Sequence, residues 1–202
     1  MKLFRNEKGF TGLEAAIVLI AFVTVAAVFS YILLGAGFFT TQKSQEVVHT
    51  GVKQATSSME LVGSIVARGN TTENKIDNVT FTLQLAAGGQ PIDLGSTLIT
   101  VVVPAKGEMA EFKYNNSSSS SAEAANATGG KYGVYWVYSL QGNQPDNYLE
   151  EFEKAEITVN LTQFTIDPNT NFLIEVKPPI GATYPIELKA PPSIDTVMVL
   201  LR

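Results

Sequence analysis

Residues 13–39 carry a single charge, Glu14, in 27 positions. A helix rises about 1.5 Å per residue, so such a run outspans the roughly 30 Å of hydrocarbon in a bilayer. A segment of this kind must lie in lipid, be removed, or be covered by protein. Small residues recur along it, among them Ala15, Ala16, Ala21, Ala26, Ala27 and Gly35-Ala36-Gly37. Small side chains let helices approach closely in an apolar medium, and they are also common in ordinary membrane anchors.

The rest of the chain limits the chemistry available. Lys2, Arg5 and Lys8 against Glu7 give the first nine residues a charge of +2, so the remainder of this net -5 chain carries -7. Residues 70–202 hold 8 basic and 15 acidic residues with no basic cluster, which excludes nucleic acid held through its phosphates. There is no cysteine, so disulfides, thiolate metal sites and cysteine nucleophiles are excluded. The one histidine, His49, sits on a helical segment and reads as a solvated or interface residue. No Walker A, GxSxG, HExxH or dinucleotide fingerprint is present. The acidic stretch 146–156 offers oxygen ligands but lacks an EF-hand pattern, and reads as a solvated loop. No enzyme activity, cofactor or metal is expected.

Beyond Thr40 the pattern becomes amphipathic. Val48, Val52, Ala55, Met59, Val62 and Val66 recur at spacings of four and three, which predicts a helical stripe ending at Arg68-Gly69-Asn70. One nearly continuous helix is expected over 10–68, with a bend at Gly35-Ala36-Gly37. From residue 76 the period falls to two. Val79, Phe81, Leu83 and Leu85 alternate with polar residues, as do Ile157, Val159 and Leu161. Leu98–Val103, Ala110–Tyr114, Tyr132–Leu140, Phe172–Val176 and Ile186–Leu188 read as further strands, and Val197, Val199 and Leu201 set the phase of the last. About eight strands separated by GGQP, DPNTN, KPPIG and APPS imply an immunoglobulin-like antiparallel β-sandwich over 69–202, with barrel closure as the alternative. Tyr132, Tyr135, Trp136 and Tyr138 read as sandwich core with partly exposed tyrosines. Residues 115–130, rich in Ser, Asn and Ala, read as an exposed loop.

The N-terminus is longer in its apolar part than a secretory signal, and Glu14 interrupts its start. An uncleaved anchor with positive charges kept inside is a second reading. A third fits the residues better. RNEKG-FTGLE ends a basic stretch in Gly9, places Phe10 next, and sets Glu14 fifth after Gly9. This resembles the class III signal of the type IV pilin-like superfamily. With KGFTGLEAAIVLIAFVTVAAVFSYILLGAGFF, TQKSQEVV and the β-rich remainder, the chain resembles an archaellin, the filament subunit of the archaeal flagellum. The resemblance is specific over residues 5–67 and architectural beyond.

The resemblance implies an α+β fold with a leader over 1–9, a filament-core helix over 10–68 and an outer domain over 69–202. A prepilin-type peptidase would recognise Lys8 and Gly9 and cut before Phe10. The subunit would wait in the cytoplasmic membrane, be extracted by an assembly platform with an ATPase motor, and join an extracellular homopolymer, possibly with related subunits, for swimming. An adhesion pilin shares the signal and assembly. A membrane-anchored β-sandwich that binds a surface ligand is the rival of another class.

Glu14 has three readings: a carboxylate reaching the headgroups, a buried hydrogen-bonded or protonated acid, or a partner for the α-amine freed on Phe10, one helical turn away. Six N-x-[ST] triplets occur, at Asn70, Asn78, Asn115, Asn116, Asn126 and Asn160, where about two would arise by chance among twelve asparagines. The excess predicts surface N-glycosylation.

Overall fold

The computed structural model describes residues 7–118, 124, 129–142 and 146–200. It divides into two compact units, Met1–Thr50 and Gly51–Arg202. A single α-helix, α1, runs over Glu7–Thr56, unbroken through Gly35-Ala36-Gly37. No proline occurs before Pro91, so nothing in the apolar run removes a backbone donor. Lys53 lies in the last turn, and the Ser57 N–H donates to the Lys53 carbonyl at 3.0 Å.

The expected helix to residue 68 is wrong at its C-terminal end. Met59–Asn70 is a strand, β1. Its ladder with the next strand slips between Val62 and Val66, where four residues of β1 span two of its partner. Gly63 takes a φ of 77° there, open to glycine without strain. The irregularity breaks the period of two, so Met59, Val62 and Val66 fall at helical spacing while the residues that enter the core are Met59, Ile65 and Ala67.

Ten strands follow: β2 (Lys75–Leu85), β3 (Ile92–Asp93), β4 (Leu98–Val103), β5 (Glu108–Ser118), β6 (Lys131–Tyr138), β7 (Tyr148–Leu149), β8 (Lys154–Asn160), β9 (Asn171–Lys177), β10 (Tyr184–Lys189) and β11 (Met198–Leu200). Nine form one ladder in the order β10-β9-β4-β5-β6-β8-β2-β1-β11, and β3 pairs with β7. β5 serves two layers. Its first half pairs with β4 through Glu108–Phe112, and its second half pairs with β6 through Lys113–Ser118. Strands on both sides bury one face into one core, which includes Phe81, Leu83, Phe112, Tyr132, Ile157, Phe172 and Ile174. Phe112 meets Phe164 with ring centroids 6.2 Å apart. The sandwich expectation therefore holds. Among the described residues β10 and β11 end the ladder without pairing, so the barrel alternative falls.

Two details depart from the expected pattern. β11 buries Met198 and Leu200 while Val197 and Val199 are exposed, the opposite phase to that read from VMVLL. An all-apolar run has no period of its own; pairing of Ala67 with Met198 and Ile65 with Leu200 sets it. The other departure is a parallel pair, β5 with β6, in an otherwise antiparallel ladder. Parallel neighbours need a crossover connection, and residues 119–130 supply it. The expected loop over 115–130 is thus partly strand, through Ser118, and Ala124 within it is buried. Gly133 of β6 permits that crossing. A Cβ there would lie 2.2 Å from the Ala124 carbonyl oxygen and 2.5 Å from its Cα.

Tyr132, fully buried on β6, ties the core to the β3–β4 turn. Its hydroxyl is 2.7 Å from the Leu94 carbonyl and 2.9 Å from that of Thr97, sharing one proton between two acceptors. Burial, then the nearby Tyr114 and Asp93, raise its phenol above the ordinary value, so it stays a donor. Tyr132→Phe keeps the ring and leaves both carbonyls without that donor. The expected loss is about 1–2 kcal/mol, read as a Tm lower by about 3–8 °C in near-ultraviolet circular dichroism of the solubilised chain.

Candidate assembly helix and surface acceptors

Ala15 to Gln42 carry no charge, and every large apolar side chain of α1 from Leu13 to Val52 is more than half exposed, from Val52 at 54% to Tyr31 at 81%. The apolar character is not confined to a stripe: Phe22, Val25, Phe29 and Ile32 lie on different faces. The polar residues within it are neutralised locally. The hydroxyls of Thr24, Thr40 and Thr41 donate to the carbonyls of Ala21, Ala36 and Gly37 at 2.8–2.9 Å. Charge resumes at Lys43, paired with Glu46 at 2.6 Å one turn on. His49 is exposed.

The helix surface is uneven. Ala26, Ser30, Gly37 and Thr41 form a notch between Phe29, Leu33, Leu34 and Phe38. No atom lies within 4 Å of the position a Cβ would take on Gly12, Gly35, Gly37 or Gly51, so nothing inside the chain requires glycine there. Glu14 is exposed beside a second hollow formed with Ala15, Val18, Leu19 and Phe22. Lys8, Gly9 and Phe10 have helical backbone, and their side chains lie outside the described residues.

The acceptor candidates fall in unlike places. Asn70 closes β1 at the hairpin tip, its Oδ1 accepting from the N–H of Thr72 at 3.0 Å and of Glu73 at 3.2 Å. Asn160 closes β8, its Oδ1 accepting from the N–H and hydroxyl of Thr162 at 3.0 and 2.6 Å. Asn78 sits within β2, paired with Arg68 on one side and Asn160 on the other, and its Oδ1 is buried with no hydrogen-bond partner. Asn115 is exposed at the register shift of β5. Asn116 is in β5 with its side chain outside the described residues, and Asn126 lies outside them altogether.

The acidic stretch is not simply solvated. Glu153 is 2% exposed. Its Oε1 accepts from the Ser139 hydroxyl and the Leu140 N–H, both at 2.9 Å, and its Oε2 from the Glu150 N–H at 3.0 Å. One carboxylate therefore pins both ends of the segment 139–153, next to Phe152, which is held at a φ of 72°. The sequence signal for this role was absent, since Glu153 stands among four other acids. Trp136 and Tyr132 are core and Tyr138 is exposed, as expected for a sandwich strand.

Comparison with known proteins places this architecture. The archaeal-type flagellin family matches residues 9–188. "Probable flagellin 1" of Archaeoglobus fulgidus is 70% identical over 206 residues, covering 100% of this chain and 99% of that protein. "Probable flagellin 2" of the same organism is 44% identical, covering 95% and 94%. The solved archaeal flagellum of Methanospirillum hungatei strain JF1 is 31% identical, with a TM-score of 0.70 over 94% of this chain and 99% of that one. With an exposed apolar helix, a β-sandwich and these relatives, the chain belongs to the archaeal-type flagellin family, whose members are structural filament subunits and not enzymes.

Proposed function

We propose that this chain is cut between Gly9 and Phe10 by a prepilin-type peptidase and then assembles, through α1, into the extracellular filament of an archaeal flagellum that turns for swimming. The observation that carries this reading is the helix surface from Leu13 to Val52, apolar on every face and uncovered within the chain. Before assembly, lipid of the cytoplasmic membrane solvates it. An ATPase-driven platform extracts the subunit, and other copies, with related subunits where present, replace the lipid. Without a gain from leaving water, close packing supplies the stability. Identical copies joined head to tail without closure give a helical filament. The outer domain meets the medium and carries N-linked glycans on its sequons.

The N-terminus of the subunit from sheared filaments is the direct test. Phe10 is expected; Met1, recovered with membranes, overturns the proposal.

Glu14 is assigned to the new terminus. Helical spacing sets it four residues from Phe10, within reach of the freed amine in its own or a neighbouring copy. Glu14→Gln removes the charge and keeps the shape. Normal leader removal with filament yield reduced tenfold or more is expected by immunoblot and electron microscopy, and an unchanged yield counts against the pairing.

Gly37 tests packing. Leucine there favours the isolated helix by about 1 kcal/mol and meets no atom of its own chain. In a filament it fills the notch. Gly37→Leu is therefore expected to leave subunit levels in membranes unchanged and to lower the filament fraction in a sedimentation assay.

A further inference from the structure

The six sequons are equivalent as sequence and unlike as structure. We infer that Asn70 and Asn160 are glycan acceptors, that the first sugar on Asn160 rests in the hollow beside it, and that Asn78 stays unmodified. This inference rests on the glycoprotein reading above and deepens it.

Transfer needs the side-chain amide nitrogen free and the asparagine turned out of the ladder. At Asn160 the carbonyl end of the amide is held by Thr162, the hydroxyl residue of its own triplet, through both N–H and Oγ1. That Asx turn directs Oδ1 inward and leaves Nδ2 with no hydrogen-bond partner among the described residues. Asn70 repeats the turn at a hairpin tip, with the N–H of Thr72, the third residue of its triplet. Two acceptors thus share one local geometry on two different elements.

Asn78 differs in each respect. It lies inside β2 with strands on both sides, and its Oδ1 is buried and unpaired. No turn follows it, since Val79 enters the core and Thr80 continues the ladder, its hydroxyl 3.1 Å from that of Thr158. Asn78 and Asn160 are also direct cross-strand partners. Residues so placed have Cβ atoms about 4.5–5.5 Å apart, less than the width of a sugar ring, so the two positions do not both carry glycans on one chain.

The hollow next to Asn160 has a volume of about 140 Å³ and is lined by Phe112, Gly129, Gly130, Lys131, Thr162 and Gln163. Glycine backbone, a ring, an ammonium and an amide suit one sugar ring: apolar contact for its C–H face and donors for its hydroxyls. The reaction would be ordinary glycosyl transfer from a lipid-phosphate-linked oligosaccharide. The Nδ2–C1 bond forms, the bond from C1 to the lipid phosphate oxygen breaks, the phosphate leaves with the electron pair, and the amide proton passes to a base of the transferring enzyme.

Trypsin separates the positions, because cleavage after Arg68, Lys75, Lys106, Lys154 and Lys189 puts Asn70 in 69–75, Asn78 in 76–106 and Asn160 in 155–189. Mass spectrometry of glycopeptides from native filaments should find glycan on the first and third and at least a tenfold lower occupancy on the second. In an Asn160→Gln variant, Asn78 should stay bare, since its own burial excludes it. Glycan on Asn78, or a bare Asn160 or Asn70 in filaments glycosylated elsewhere, overturns this inference and leaves the glycoprotein reading standing. Filaments without glycan at any sequon overturn that reading itself.

Discussion

An apolar surface with no cover inside its own subunit governs this molecule. Each large side chain of α1 left in water would forgo about 1.5–3 kcal/mol of burial, and residues 13–52 carry many such side chains on every face. Water is therefore not a medium in which this helix rests. The four glycines with no neighbour within 4 Å carry the same message, since each weakens an isolated helix by about 1 kcal/mol relative to alanine. The sequence of α1 is suited to neighbours, and membership of a filament family supplies them.

The β-sandwich answers to a different constraint. Its core is complete within one chain, gathered from both layers and closed around Tyr132, Phe112 and Ile157. β5 passes from one layer to the other, and the crossover that its parallel pairing with β6 demands returns over Gly133. The outward rows of β2 and β8 are polar, with Thr80 facing Thr158 and Asn78 facing Asn160. One unit thus presents hydrocarbon and the other hydrogen-bonding groups, which suits a subunit whose two parts meet different surroundings.

The two parts were not equally legible in the sequence. The apolar helix needed only the near absence of charge, and the core strands β2, β8, β9 and β10 declared themselves by strict alternation, because each has one buried face. Where a second influence sets the phase, local pattern misled. Met59–Asn70 reads as helix because an irregularity at Gly63 converts a period of two into spacings of three and four. β11 reads in the wrong phase because VMVLL is apolar throughout and β1 chooses its face. The parallel pair and the burial of Ala124 depend on contacts distant in sequence. Of the site residues, Glu14 stood out as a charge out of place, whereas Glu153 did not, because its role comes from the Ser139, Leu140 and Glu150 groups that converge on it. The difference between Asn78 and Asn160 is likewise a matter of register and not of triplet.

The threonines of α1 have a mechanical consequence. With the hydroxyls of Thr24, Thr40 and Thr41 turned back onto their own helix, the surface from Ala15 to Gln42 offers almost no directional bond to whatever touches it. Dispersion contacts fix how far apart two such helices lie much more firmly than how far one has slid along the other. Helices packed in this way resist separation yet shear in small steps, which lets a bundle bend and twist under torque without breaking any specific bond.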